Sequence, residues 1–350
     1  MTTSAPWPDP LAVFKEQLDL AGKLVGGVRT LSDVGRDGAP EEAPSEVVHA
    51  EGKMRLLHYL PTVERPASPP VLIVYAIFNR YYMIDLQPER SLVRRLLDEG
   101  LDLYVIDWGY PDRSDRWLTL DDYVSGYVTD CVEVLREQHG VDQVNVVGIC
   151  QGGAAAVCYA ALHPERVKNL VTMVSPIDFH VDGTVLNAWT RAIDVDALVD
   201  AFGTVPGELI GLGFMARSPF ERQLRKYLDV VDIVDDEDRL RSFLQMERWI
   251  WDTPDVPGEA FRQWVKDFYQ GNKLVKGEVD LGRLTMPILN VYAENDDLVP
   301  PESAAALERY VGTDDYTGRA FPVGHIGMYV SSRMQREVPP AVAGWLLARS

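Results

Sequence analysis

The stretch Gly148-Ile149-Cys150-Gln151-Gly152-Gly153 decides the fold. It follows an apolar run at residues 143–147, which is typical of a strand buried on both faces, and it precedes a run of small residues of helical length at 152–162. A strand that passes into a helix through such a tight turn needs small residues on both sides of its central residue, because larger side chains would collide with the neighbouring backbone. Glycine stands on both sides of Cys150. The stretch therefore predicts a nucleophile elbow that lifts the Cys150 side chain above the edge of a sheet.

Cys150 has two interpretations at this point. In the first, it is a catalytic nucleophile: the helix that begins at Gly152 directs its positive end at the thiol and favours the thiolate, and the N–H of Gln151 faces the space where a tetrahedral oxyanion would form. In the second, it is an inert buried thiol in a tight turn between a strand and a helix. The residues that follow later strands favour the first interpretation.

Strand and helix patterns alternate on both sides of this turn. Apolar, β-branched runs predict strands at residues 71–75, 101–106, 143–147 and 169–174, and helical spacing predicts helices at 88–98, 120–138 and 152–162. Two more predicted strands, 47–51 and 54–60, are joined by a turn at Gly52, and residues 66–70 are predicted to be a Pro-rich loop. The alternation indicates a mostly parallel, doubly wound α/β sheet that is covered on both faces.

The alternation stops after Pro176 and resumes near residue 286. In between, Trp, Phe, Leu and charged residues recur at helical spacing with Gly and Pro breaks, which predicts an inserted helical cap, or lid. Strands at 286–292 and 316–321 and helices at 301–310 and 335–348 then complete the sheet. The chain is thus divided into an N-terminal segment at 1–45, which holds an amphipathic helix (10–31) and a linker, a first core part at 46–176, the cap at 177–283 and a second core part at 284–350.

The composition argues against several classes of protein. The 350 residues are 46% hydrophobic and 25% charged, an ordinary globular balance, and a net charge of −19 argues against binding to nucleic acid. The sequence offers no transmembrane segment, no His/Cys cluster at metal-ligand spacing and no Gly-rich phosphate loop. No signal peptide is visible, so the three cysteines are expected to be reduced thiols in a cytoplasm, with Cys131 and Cys158 in the core.

Acidic residues and a histidine follow the last two predicted strands. Glu294, Asp296 and Asp297 come after the strand at 286–292, and His325 lies in the stretch 324–327 after the strand at 316–321. Nucleophile, acid and histidine in this chain order form a catalytic triad on a sheet of this kind, with the histidine as base and the acid orienting it. His325 is the only one of six histidines that follows the last strand, whereas local reasoning does not choose between the acids.

The loop after the strand at 71–75 is expected to supply a second oxyanion donor beside the Gln151 N–H, from the backbone of Ile77 or Phe78. The residues next to it, and a histidine at the entrance to the cap, are candidate substrate contacts, with an ordinary packed loop as the alternative. These candidates are Asn79, Arg80, Tyr82 and His180.

Five ordered motifs resemble the catalytic subunit of a polyhydroxyalkanoate synthase, an enzyme of the α/β-hydrolase superfamily. They are the Cys150 elbow, the loop Phe78-Asn79-Arg80-Tyr81-Tyr82-Met83-Ile84-Asp85-Leu86-Gln87-Pro88, the strand end Asp107-Trp108-Gly109, the Asp-x-Leu-Val-Pro-Pro stretch from Asp296, and Gly324-His325-Ile326-Gly327. The match runs from about residue 47 to the end, and the length resembles that of the short class III subunits, with class IV as the near relative.

The resemblance implies the site and the reaction. Cys150 corresponds to the family's acyl-carrying nucleophile, Asp296 to its acid and His325 to its base. The implied reaction polymerises (R)-3-hydroxyacyl-CoA, with 3-hydroxybutyryl-CoA as the expected monomer, and releases CoA, which is part of the substrate and not a cofactor; no cofactor or metal is expected. A second synthase subunit, a possible homodimer and a place at polyester granules in the cytoplasm are implied as well.

Two alternatives stay open in the sequence. A cysteine-dependent thioesterase or dienelactone-type hydrolase shares the Gly-x-Cys-x-Gly-Gly elbow, although such enzymes are generally shorter and lack a cap of this size. A non-catalytic, granule-associated protein of the same fold would have no need of all three triad groups. The net charge of −19 also raises a question, because the expected substrate carries an anionic CoA that the protein would repel. Either local basic groups offset this repulsion, or the enzyme works at an ionic strength that screens it.

Overall fold

The computed structural model describes residues 39–64, 66–181, 184–216, 233 and 236–350. The amphipathic helix predicted at 10–31 lies outside these residues, as does most of the linker that follows it.

An eight-stranded sheet forms the centre of the molecule, in the order β1-β2-β4-β3-β5-β6-β9-β10. The first two strands pair antiparallel, β2 also runs antiparallel to β4, and the pairs from β4 to β10 are parallel. The predicted mostly parallel sheet is therefore confirmed. The strands are β1 (Ser45–Glu51), β2 (Met54–Tyr59), β3 (Ala67–Val74), β4 (Leu101–Asp107), β5 (Val144–Ile149), β6 (Val167–Met173), β9 (Ile288–Ala293) and β10 (Tyr316–Phe321); β7 (Thr204–Val205) and β8 (Val256–Pro257) form a small separate pair.

Helices cover both faces of the sheet. The core helices are α1 (Leu92–Asp98), α2 (Val128–His139), α3 (Gln151–Leu162), and, after the cap, α10 (Pro301–Ala305), α11 (Gly327–Val330) and α12 (Met334–Leu347). Between β6 and β9 lie α4 (Val185–Ala192), α5 (Val195–Phe202), α6 (Gly207–Ala216), α7 (Glu237–Trp251), α8 (Gly258–Gln263) and α9 (Lys273–Lys276), with a π-helical turn at Trp264–Gln270. This stretch between β6 and β9 is called the cap from here on.

Three local predictions were wrong in detail. The Pro-rich residues 66–70 are not a loop, because β3 begins at Ala67; the strand accepts Pro69 and Pro70 where its register with β4 is irregular. The helix predicted at 88–98 begins only at Leu92, because the Ser91 hydroxyl accepts from the Arg94 N–H and caps it there. The helix predicted at 120–138 starts as a π-helical turn, Asp122–Tyr127, before α2.

The core is divided by the sheet into two apolar clusters. One lies under α2, α3 and the cap, and the other lies under α1, α11 and α12. Cys131 and Cys158 are both buried in the first cluster, as predicted, and burial raises the pKa of each thiol, so neither is a ready nucleophile. Cys150 is the least buried of the three and lies at the carboxyl end of β5, in the middle of the sheet.

Candidate active site

Cys150 connects β5 to α3 in a strained backbone conformation. Its φ of 55° and ψ of −126° lie in a region that residues with a Cβ atom rarely adopt. Its N–H donates to the Met173 carbonyl of β6 at 2.9 Å, which fixes the turn to the neighbouring strand. The predicted nucleophile elbow is present, and the strained turn presents the Cys150 side chain to a cavity at the end of the sheet.

The glycines of the elbow are required by close backbone contacts. A Cβ atom on Gly152 would lie 2.1 Å from the Val74 carbonyl oxygen and 2.4 Å from that of Tyr75, and one on Gly148 would lie 2.5 Å from the Gly153 Cα. Real Cβ atoms do not approach this closely, so α3 can pack against the ends of β3 and β5 only with glycine at these positions. The pattern Gly-x-Cys-x-Gly is therefore a packing requirement of this turn.

The loops after β9 and β10 bring an acid and a histidine together. Asp296 Oδ2 lies 2.7 Å from His325 Nδ1, and both side chains are buried. The other carboxylate oxygen, Oδ1, accepts from the N–H groups of Leu298 and Val299 at 2.9 and 2.8 Å, which holds the carboxylate in place. Of the three acids that sequence reasoning left open after this strand, Asp296 is thus the one that bonds to His325.

His325 also interacts with the Cys150 side chain, and both residues line the same cavity. Burial lowers the pKa of the imidazole, but the negative charge of the Cys150 thiolate and the hydrogen bonds to Asp296 and Cys150 outweigh it and raise the pKa to about 10. The raised pKa favours the protonated imidazolium form of His325. Cys150, His325 and Asp296 form one continuous line of contacts, which is the geometry of a cysteine-based triad.

Two backbone N–H groups predicted to be oxyanion donors lie next to the Cys150 turn. Gln151 is the first residue of α3, so its N–H has no acceptor four residues earlier in the helix and faces the end of the turn. The Phe78 N–H, in the loop after β3, points at this elbow, since it donates to the Gln151 side-chain oxygen at 3.3 Å. Ile77, the other candidate, has its side chain in a second, smaller cavity beside Ala155 and Cys158.

A largely apolar cavity of about 560 Å³ opens over the triad. Core residues from the ends of β3 and β5 form its floor, and cap residues form its walls and roof. Phe78 supports the roof, with its ring 6.1 Å from that of Trp264 in an edge-to-face arrangement. The lining includes Cys150, Gln151, Phe78, Asn79, His325, Ile326, Leu298, Trp189, Phe261 and Trp264.

The four candidate substrate contacts do not all lie at the cavity. Asn79 lines the cavity, as expected of a substrate contact, whereas Arg80, Tyr82 and His180 do not. The buried Arg80 guanidinium is held by Asp107 at 2.9 Å and by the Gly109 carbonyl at 2.8 Å. The Tyr82 hydroxyl donates a hydrogen bond to the Asp252 carboxylate, and the His180 ring bonds to the Tyr269 carbonyl. Asp252 and Tyr269 both belong to the cap.

As substrate contacts these three residues remain predictions. In the structure each side chain has protein partners and supports the loop or the cap from behind the cavity. Asp107, the last residue of β4, was the available signal for Arg80, because a buried acid at a strand end requires a cation nearby.

Two tyrosines beside the triad were missed by the sequence reasoning. Tyr75 and Tyr329 are both buried, both line the cavity, and their hydroxyls form a hydrogen bond with each other. The Tyr329 ring packs edge-on against His325, with centroids 6.3 Å apart. The spacing of Tyr329 four residues after His325 could have indicated this contact, because the intervening α11 is a single helical turn.

In the part of the chain that the structure describes, no cluster of three or more His, Cys, Asp or Glu side chains could hold a metal ion. Across the same residues, no helix has the length and apolar character needed to cross a bilayer.

Two family models match the chain. The model of the alpha/beta hydrolase fold matches residues 69–331, and the model of the poly-beta-hydroxybutyrate polymerase N-terminus matches residues 28–96. Solved structures of the same fold are similar over most of the chain. A lipase from Sulfolobus solfataricus described as putative superposes with a TM-score of 0.53 at 14% identity (88% of this chain, 99% of the other), and a thioesterase domain from the curacin biosynthetic pathway with 0.51 at 12% (87% and 99%). At these identities the likeness shows the fold alone.

Curated relatives are similar over nearly the whole chain. The poly(3-hydroxyalkanoate) polymerase subunit PhaC of Synechocystis is 50% identical (95% of this chain, 92% of the relative), and that of Thiocystis violacea is 48% identical (98% of each). The subunit PhaC of Haloferax mediterranei is 41% identical over 97% of this chain and 72% of its own length. The predicted α/β-hydrolase fold and the resemblance to the synthases are therefore confirmed, and the chain belongs to the family of poly(3-hydroxyalkanoate) polymerase subunits.

Proposed function

We propose that this enzyme joins (R)-3-hydroxyacyl units from CoA thioesters into a polyester through an acyl group carried on Cys150, with His325 moving the proton and Asp296 orienting it. Polymerisation of hydroxyacyl-CoA is the activity of the family to which the chain belongs. The observation that carries the residue assignment is the continuous contact from Cys150 through His325 to Asp296 at the floor of an apolar cavity.

The first step acylates Cys150. The thiolate attacks the thioester carbonyl, a new carbon–sulfur bond forms, and the N–H groups of Gln151 and Phe78 stabilise the oxyanion. The intermediate then collapses, the bond to the CoA sulfur breaks, and the His325 imidazolium gives its proton to the leaving thiolate. Exchange of one thioester for another changes little in bond energy, so the acyl-enzyme remains reactive.

The second step transfers the acyl group to a hydroxyl end. Acylation removes the thiolate charge that raises the pKa of His325, while burial still lowers it, so the imidazole of the acyl-enzyme is neutral and can act as a base. It takes the hydroxyl proton as the oxygen attacks the thioester, an ester bond forms, and Cys150 leaves as a thiolate. That thiolate beside the new imidazolium restores the starting ion pair.

The apolar cap favours polymerisation over hydrolysis. Water that reached the acyl-enzyme would release a free hydroxyacid, and the cap residues around the cavity leave few polar groups to hold water there. The scheme needs no cofactor, because CoA enters with the substrate and leaves as a product. The N-terminal region matches the family of poly-beta-hydroxybutyrate polymerases, which supports 3-hydroxybutyryl-CoA as the monomer.

The similarity to the curated relatives also supports a proposal about the assembly of the enzyme. The curated relatives are described as subunits, which supports a second synthase subunit. Light scattering after size-exclusion chromatography, with and without that subunit, would detect the complex and a homodimer alike. Because the polyester product is insoluble, we place the enzyme at the surface of polymer granules in the cytoplasm.

One experiment separates these functions. The purified chain, with and without a partner subunit, is incubated with (R)-3-hydroxybutyryl-CoA while free thiol and insoluble polyester are both followed. Polymer together with CoA supports the synthase, and free hydroxyacid together with CoA supports a thioesterase. Neither product in the presence of the partner would contradict both.

Two cysteine variants test the assignment of the nucleophile. Cys150→Ala should abolish CoA release, whereas Cys158→Ala, a matched change at a buried cysteine of the core, should retain it. Turnover in the Cys150→Ala variant would remove this residue from the mechanism.

A further inference from the structure

The Gln151 side chain forms a hydrogen bond with the Phe78 N–H, a donor that the substrate carbonyl oxygen would need. Its amide oxygen accepts a hydrogen bond from the Phe78 N–H at 3.3 Å, and both residues line the cavity together with Cys150 and His325. In the reaction proposed above, this N–H is one of the two donors for the thioester oxygen. Gln151 directly follows the nucleophile, so its side chain is always within reach of this position.

A single N–H proton cannot serve both acceptors at full strength. The observed separation of 3.3 Å is longer than the usual 2.9–3.0 Å of an N–H···O bond, so the contact with the amide is weak and can be exchanged. A thioester carbonyl that develops negative charge is a stronger acceptor than a neutral amide oxygen. The amide therefore binds the Phe78 N–H in the free enzyme and must be displaced when the thioester carbonyl enters the site.

We propose that the Gln151 side chain is an internal competitor for the oxyanion site, which keeps the Phe78 N–H satisfied between turnovers and lowers the apparent affinity for the thioester. This inference rests on the proposed roles of Cys150 and Phe78. When only a fraction of the protein is in the state that can bind a ligand, the apparent affinity is reduced by that fraction. Here the binding state is the one in which the Phe78 N–H is free of the amide. One ordinary hydrogen bond corresponds to an effect of between about twofold and tenfold.

The test compares substitutions that remove or strengthen the acceptor. Gln151→Leu and Gln151→Met leave the backbone N–H of residue 151 in place and delete the amide oxygen. Each should lower KM and raise kcat/KM for the hydroxyacyl thioester by about twofold to tenfold while kcat changes little. Gln151→Glu puts a charged oxygen on the same N–H and should lower kcat/KM, most strongly above the pKa of the new carboxyl.

Alkylation of Cys150 by iodoacetamide is the control, because it uses the thiolate and needs no oxyanion donor. Its rate should be unchanged in the Leu and Met variants. If Cys150 is alkylated slowly in one of these variants, the elbow of that variant is distorted, and the kinetics of the other variant are used to test the competition. A neutral thioester without the CoA nucleotide separates the effect of the Glu variant on the donor from repulsion of CoA.

The outcomes distinguish the inference from the function on which it rests. A fall in kcat/KM, or no change, in a neutral variant that alkylates normally would overturn the proposed competition. If alkylation of Cys150 in the unsubstituted enzyme leaves thioester turnover intact, the proposed role of Cys150 fails instead, and the competition fails with it.

Discussion

His325 exchanges the proton in both steps of the proposed reaction, and its surroundings explain how one residue can do so. The thiolate of Cys150 and the carboxylate of Asp296 stabilise the imidazolium, whereas burial opposes it. Acylation neutralises the sulfur, so the same side chain changes from an acid to a base without any movement. The reaction itself thus sets the protonation state that the next step requires.

A titration of His325 tests this coupling. In the unsubstituted protein the pKa is raised from 6.5 to about 10, so the imidazolium should persist from neutral pH up to about pH 10. In Cys150→Ala the thiolate is absent and burial still lowers the pKa, so the ring should lose its proton at a clearly lower pH. NMR of the imidazole signals measures both values, and equal pKa values in the two proteins would contradict the coupling.

Residues of the triad could be predicted because each follows a strand in a fixed chain order. Cys150 is marked by its glycines, and His325 is the only histidine after the last strand. The choice of Asp296 over Asp297 could not be made locally, since it depends on which carboxylate faces a loop from another strand. The role of Arg80 was missed for the same reason: its partner Asp107 lies on β4 and is 27 residues away in the chain.

At the scale of elements, the elbow is the junction that the sequence constrains most tightly. Helix α3 starts directly against the ends of β3 and β5, so its first turn has no room for a side chain at Gly152. By contrast, the start of β3 at Ala67 could not be predicted, because the pairing with β4 outweighs the preference of prolines for loops. The β7–β8 pair within the cap was missed as well, since each strand has only two residues.

Gly152→Ala should therefore disrupt the elbow. The new methyl would lie 2.1 Å from a backbone oxygen, so α3 must shift away from β3, and we expect a loss of about 1–3 kcal/mol in the free energy of unfolding together with the loss of CoA release. Gly344→Ala is the matched control: it lies in α12 with nothing within 4 Å of the added Cβ. That change should stabilise the protein by about 0.5–1 kcal/mol and leave activity intact. Urea unfolding of both variants measures the difference, and equal effects would refute the packing argument.

The cap is fastened to the core by the end of α7. Asp252, directly after this helix, accepts hydrogen bonds from the hydroxyls of Tyr82 and Tyr110 at 2.7 and 2.8 Å, and the indole of Trp249 donates to the Arg80 carbonyl at 2.9 Å. Tyr82 and Tyr110 belong to the loops after β3 and β4, so these contacts connect two strand ends to one cap helix. Arg80 and Tyr82, first considered as substrate contacts, thus hold the cap over the site.

Asp252→Ala should loosen this connection. The loss of an acceptor shared by two hydroxyls is expected to lower the free energy of unfolding by about 1–3 kcal/mol and to speed amide exchange in α7 more than in α3. A matched change at the exposed Asp98, the last residue of α1, should do neither. Hydrogen exchange followed by mass spectrometry resolves the two helices. Equal protection of α7 in Asp252→Ala and the unsubstituted protein would show that packing alone holds the cap.

For the molecule as a whole, neither the negative net charge nor the uncharged lining of the cavity attracts an anionic substrate. The net charge is −19, and the described residues that line the cavity include no Lys, Arg, Asp or Glu. The described lining therefore offers the acyl group an uncharged chamber and offers the phosphates of CoA no cation. Long-range repulsion from the net charge opposes the approach of the anionic substrate, and dissolved salt screens it.

Ionic strength should consequently raise activity towards acyl-CoA. Between about 0.01 M and about 0.15 M salt the screening length falls from about 30 Å to about 8 Å, so repulsion between the −19 protein and CoA weakens, and kcat/KM should rise by about twofold to tenfold. A neutral thioester of the same hydroxyacyl group carries no charge to repel, so its kcat/KM should stay nearly constant over the same range. Steady-state kinetics with both substrates provides the comparison. A fall of activity with salt for acyl-CoA alone would mean that a local basic site, outside the cavity lining, dominates binding and outweighs the net charge.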